Sequence, residues 1–209
     1  KLFASKTSIV KSNYYKSKMG KRKSKIDYNL DYQGIKKLSF KEIKAILRAA
    51  DELIATGGRG MLAKILKGSK DKKLLEYDLD KCPVYGFYHH LTLPEITRRI
   101  DWMIKNDYLR IEYSGRLPVI VFSKEGWEIE RENYAEELLQ KLQSLLKSKD
   151  YRYVADLKDR NRGMILLLID KIKNSNNRDF IPLLKAWQEV DYKKIKITLQ
   201  EVIEYLEDI

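Results

Sequence analysis

The sequence predicts a mainly α protein: an α+β module whose helices are closed by a two-stranded β wing, followed by an all-α helical region. Three observations lead there. Ser39-Phe40-Lys41-Glu42 and Thr92-Leu93-Pro94-Glu95 are capping boxes, and each opens a run of apolar residues at helical spacing. Tyr108–Tyr113 and Leu117–Phe122 are β-rich runs on either side of Ser114-Gly115-Arg116, the pattern of a hairpin with a short glycine loop. From Lys124 onward the composition turns to helix formers.

The elements follow in order. After Ser39, Phe40, Ile43, Ile46, Leu47, Ala50, Leu53 and Ile54 recur at helical spacing, and Gly57-Gly58 is expected to end that helix. A short helix over about 59–67 carries Met61, Leu62, Ile65 and Leu66 and stops at Gly68. A lysine-rich loop leads into a helical turn, and Cys82–Phe87 reads as an irregular aromatic connector. The Thr92 helix holds Ile96, Ile100, Met103 and Ile104 and ends near Asn106, with Trp102 read as core. Pro118 inside the return strand implies an edge position or a bulge. Three helices and a two-stranded hairpin make the winged-helix plan. Further helices are expected over 132–147, 161–173, 180–190 and 198–206, with Trp127 placed to anchor them against the wing. The organisation expected is a basic arm without fixed structure over 1–37, a winged helix over 38–131 and a helical domain over 132–209.

Charge narrows the partners. Lys and Arg number 42 against 30 acids, a net +12, which suits a polyanion: nucleic acid or an acidic membrane face. Residues 1–25 hold eight lysines and Arg22 with no acid. They read either as a phosphate-binding tail or as a solvated leader, and Tyr14, Tyr15, Tyr28 and Tyr32 among the lysines can stack on bases or pack outside the module. A single cysteine, Cys82, excludes a disulfide framework and a cysteine-rich zinc site and fits a reducing cytosol. No apolar run is long enough to span a bilayer, and Lys1–Lys25 lacks the apolar stretch of a secretory signal.

Lys64, Lys67, Lys70, Lys72 and Lys73 lie within ten residues, with Asp71 the one acid among them. Gly68 lets a ligand approach the backbone closely, and Ser69 is placed to donate to a phosphate oxygen. If Lys72 and Lys73 open the next helix, its first-turn amides add an anion site. The alternative is a solvated lysine loop. At the hairpin tip, Tyr113 or Leu117 can stack on an exposed base and Arg116 can enter a groove or clamp a phosphate; a plain structural wing is the alternative. His89 and His90 are adjacent and point apart, so they read as a polar loop rather than a metal pair, and no motif orients Cys82 and His89 as a nucleophile pair.

Gly60-Met61-Leu62-Ala63-Lys64-Ile65-Leu66-Lys67-Gly68-Ser69-Lys70-Asp71-Lys72-Lys73 resembles two helices of the RecQ C-terminal (RQC) domain, the winged helix that follows the zinc module of RecQ-type DNA helicases. Val84-Tyr85-Gly86 resembles that family's connector, Trp102–Leu109 its third helix running into the wing, and Pro118–Gly126 its return strand. The resemblance runs from about residue 40 to 130 and is to a minor stand-alone branch. It implies that Lys67, Ser69 and Lys73 sit where family members touch the DNA backbone. It also implies a wing that can act as a wedge at a terminal base pair, although the hairpin here is short. There is no Gly-x-x-x-x-Gly-Lys-[Ser/Thr] loop and no four-cysteine module in these residues.

The expected protein is therefore a non-catalytic binder of duplex DNA at ends, forks or junctions, nucleoid-associated in a cytoplasm, without cofactor or metal. Its expected DNA-binding residues are Lys64, Lys67, Ser69, Lys70, Lys72, Lys73, Tyr113 and Arg116. Residues 132–209 would serve a protein partner or self-association. A protein-interaction adaptor built on a winged helix, or an RNA-binding protein, are the alternatives.

Overall fold

The computed structural model describes residues 29–209; the arm residues 1–25, with Tyr14, Tyr15 and also Tyr28, lie outside the described residues. The described chain up to Glu130 forms one compact unit and Arg131–Ile209 a second.

The first unit is a winged helix. Helix α1, Phe40–Asp51, starts as the capping box predicts: Ser39 Oγ accepts from the Glu42 amide at 3.3 Å, and the Glu42 carboxylate accepts from the Ser39 amide at 2.9 Å. Leu38 and Ile43, the flanking staple positions, are both buried in the core. The helix ends at Asp51, not at Gly57-Gly58 as expected. Residues 52–56 form turns instead, with Ala55 at φ +59, because this segment has a pairing role: the Ala55 amide donates to the Ile120 carbonyl and the Ile120 amide to Gly57.

Helix α2, Arg59–Lys67, is closed by Gly68 at φ +75, where the Gly68 amide reaches Ile65 and the Ser69 amide reaches Lys64. Helix α3, Lys72–Glu76, and a single turn at Leu79–Lys81 follow. Helix α4, Leu93–Lys105, has the predicted Thr92–Glu95 box with Pro94 in its first turn. Ile46, Leu62, Ile65, Ile96, Ile100 and Met103 are fully buried where α1, α2 and α4 meet. Trp102 is buried and stacks on Tyr108, as the core reading required.

Strands β1, Leu109–Ser114, and β2, Leu117–Phe122, pair antiparallel with Ile111 opposite Ile120 and Tyr113 opposite Pro118. Pro118 makes no bulge. The amide and carbonyl of Ile120 face Gly57 and Ala55, so by alternation the position of the missing Pro118 amide also faces away from β1. The turn puts Gly115 at φ +62 in the first central position, the Gly-X pattern of a type II′ hairpin.

Helix α5, Lys124–Ser148, begins eight residues before the expected position, and the boundary between the two units falls inside it. Gly126 and acidic residues disguise its start. Ser123 caps it: its hydroxyl accepts from the Gly126 amide at 2.9 Å and donates to the Tyr108 carbonyl. Trp127 rests against Phe122 of β2.

The second unit is all helical: the rest of α5, a turn at Arg152–Leu157, α6 (Arg162–Asn174), α7 (Ile181–Val190) and α8 (Lys193–Asp208). Asn161 caps α6 by accepting from the Gly163 and Met164 amides. The α8 helix starts before the expected Thr198, because Ile195 adds one more buried turn ahead of Leu199 despite its lysine neighbours. Trp187 fills the core and donates its indole N–H to Asp191 at 2.7 Å. None of the described helices is long and apolar enough to cross a membrane.

Candidate nucleic-acid interface

The lysine-rich turn is held by the connector behind it. The Gly86 amide donates to the Ile65 carbonyl at 2.9 Å and the Tyr88 amide to Leu66 at 2.8 Å, so the connector runs alongside the last turn of α2. Tyr85 Oη donates to the Ser69 carbonyl at 3.0 Å. A Cβ on Gly68 would stand 3.1 Å from the Gly86 Cα, so glycine serves there both for its positive φ and for this close approach. Buried Tyr88 carries the brace to α1, donating its hydroxyl to Glu42 at 3.0 Å, with Arg99 of α4 over its ring. Burial and the Glu42 charge push the Tyr88 phenol up. Burial would also raise Glu42, but hydrogen bonds from Ser39 and Tyr88 and the charge of Arg99 hold its carboxyl below the usual carboxylate range.

The lysines are not equivalent. Lys64 pairs with Asp71 at 2.7 Å, and that hydrogen bond holds the Asp71 carboxyl below its ordinary range. Lys67 Nζ donates to the His89 carbonyl at 2.6 Å. Lys72 lies 3.9 Å from Glu76 on an exposed face. Lys70 and Lys73 are exposed, and neither their ammonium groups nor the Ser69 hydroxyl bond to any described residue. The first-turn anion site expected on α3 is taken by the chain itself. Asp71 is the N-cap, its carboxylate accepting from the Lys73 amide and its carbonyl from Leu74 and Leu75.

The wing tip is a second, separate cluster. Leu117 is 71% exposed and Tyr113 47%, while Arg116 is exposed and pairs with no described acid. Helix α2 relates the two clusters: β2 pairs with Ala55 and Gly57 just before its start, and the lysine turn follows its end. The nine residues of α2, about 13 Å of helix, run from that pairing site to the lysine turn. The sequence indicated the cation types but not Tyr85, Gly86 and the His89 carbonyl as the groups that hold the turn; the aromatic-Gly pattern at 84–86 was the available signal. His89 and His90 lie exposed on that connector, and no cluster of metal-ligating side chains occurs among the described residues.

A winged helix with a braced Gly-Ser turn and a short wing defines the class. The family model for the RQC domain matches residues 39–145, just over half of the chain. The chain is also similar to the ATP-dependent DNA helicase RecQ of Bacillus subtilis (strain 168), with 30% identity over 86 residues. That stretch covers 41% of this chain and 14% of the helicase. No solved structure matches. This chain belongs to the RQC domain family, whose domain is the DNA-binding winged helix of RecQ helicases.

Proposed function

We propose that the chain is a non-catalytic binder of duplex DNA that recognises ends, forks or junctions. Lys67, Ser69, Lys70 and Lys73 take phosphates, with Lys64 and Lys72 adding field. Tyr113, Arg116 and Leu117 meet the terminal base pair. The observation that carries this reading is the braced turn. Backbone bonds from Gly86 to Ile65 and from Tyr88 to Leu66, with the Tyr85 hydroxyl on the Ser69 carbonyl, hold the turn, while the Lys70 and Lys73 ammonium groups and the Ser69 hydroxyl bond to no described residue. Positioned donors of this kind fix register on a duplex and carry little base information. The second unit recruits a protein partner or a second copy, in a nucleoid setting.

Competition among blunt, forked and single-stranded DNA and structured RNA at two salt concentrations tests the reading. Forked or blunt duplex should compete best, with log affinity falling linearly in log salt. Structured RNA winning at both salts would overturn it. Removing residues 1–25 deletes eight lysines and Arg22, so non-specific affinity and its salt slope should fall. Preference among DNA shapes should persist. A preference lost together with the arm would mean that the winged helix is not the reader.

A further inference from the structure

The solvent face of α1 carries a feature that neither the fold nor the duplex reading uses. Phe40 is 59% exposed at the first position of the helix. It has no structural work there, because the capping box and the buried Leu38 and Ile43 already secure the helix start. Lys44, one turn on, lies over its ring at 5.2 Å. Lys36 and Lys37, just ahead of the helix, and Lys41, beside Phe40 in its first turn, are exposed and make no ion pair with described residues. The one acid between Lys36 and Lys44 is Glu42, and it turns inward to Ser39, Tyr88 and Arg99. Over residues 36–44 the charges not turned inward are therefore all cationic, beside a largely exposed aromatic ring.

We propose that this face binds single-stranded nucleic acid, Phe40 stacking on an unpaired base while Lys37, Lys41 and Lys44 follow the phosphates. The two components, cations along a backbone track and an aromatic platform, are those by which proteins hold unpaired strands. A closed duplex covers its base faces with neighbouring pairs and gives the Phe40 ring nothing to stack on, which favours a single strand over a duplex as occupant. The inference rests on the duplex reading only in taking nucleic acid as the partner. It gives the protein a place for the strand that leaves the duplex at a fork.

The test uses the full chain and three probes: a thymidine homopolymer, a blunt duplex of equal length, and that duplex with a single-stranded overhang. Phe40→Ala should weaken the homopolymer and overhang complexes roughly five- to 150-fold, the range for loss of one stacked base, and leave the blunt duplex unchanged. Lys37→Ala with Lys41→Ala should reduce the salt slope on the homopolymer by up to about 1.4. Circular dichroism should stay native in both, since the helix cap is untouched. Unchanged homopolymer affinity in both variants would overturn the proposal, as would an equal loss on the blunt duplex. A Lys67→Ala and Lys73→Ala variant run alongside separates the two claims. Duplex affinity retained there overturns the duplex reading, and the homopolymer comparison still decides this one.

Discussion

Replacing Lys67 and Lys73 together by alanine is expected to weaken binding to every duplex sequence by the same factor. Two lost phosphate contacts reduce the slope of log affinity against log salt by about 1.8, which is roughly thirtyfold near physiological salt and vanishes near 1 M. Sequence independence follows because the phosphates they meet are the same at every base pair, so these contacts set register and carry no base information. The fold should survive. The Lys73 ammonium pairs with no described residue, and the solvent-exposed Lys67 bond to the His89 carbonyl contributes only about 0.5–1.5 kcal/mol. Fluorescence anisotropy across a salt series checks this, and a folded double variant with unchanged affinity and slope would remove the lysine turn from the interface.

Gly126→Ala should be the most damaging single methyl in the first unit. Its Cβ would overlap the Tyr108 carbonyl oxygen, and neither partner can yield easily: one is on a helix, the other leads into β1. The same carbonyl accepts from the Ser123 amide and hydroxyl, so moving it also breaks the cap of α5. Alanine gains up to about 1 kcal/mol in helix propensity, but the overlap should cost about 3 kcal/mol or more, so destabilisation wins. Gly60→Ala is the control: nothing lies within 4 Å of its added methyl, and it should gain several tenths of a kcal/mol. Urea denaturation of the pair reads both signs. Equal midpoints for the two variants would show that α5 and Tyr108 are not in this contact.

What the sequence made legible was local. Ser39 with Glu42, Thr92 with Glu95, and Gly68 after Lys67 each fix a helix end through atoms within four residues, and each end stands where those residues put it. Long-range pairing was not legible. The Ala55–Gly57 segment leaves the helical path to meet Ile120, some 65 residues away, and nothing near Ala55 announces a left-handed turn. Gly126 reads as a helix breaker until Tyr108 is seen pressed against it. The candidate site divides in the same way. Its lysines and Ser69 stand out by composition, whereas the pairing of Lys64 with Asp71, the capping of α3 by that same Asp71, and the bracing by Tyr85 depend on contacts that composition does not encode.

The central claim is that the wing meets a DNA end while the lysine turn holds the backbone behind it. Tyr113→Ala with Arg116→Ala, compared on a closed circular duplex and on the same sequence linearised or forked, tests it most directly. A tip that engages a terminal base pair makes those contacts only where an end exists. The double variant should therefore lose up to about 150-fold on forked or blunt DNA, the worth of one stacked base, and little on the circle. Equal losses on circular and open DNA would contradict end recognition and reduce the wing to a phosphate clamp, and no loss on either would leave it a structural hairpin.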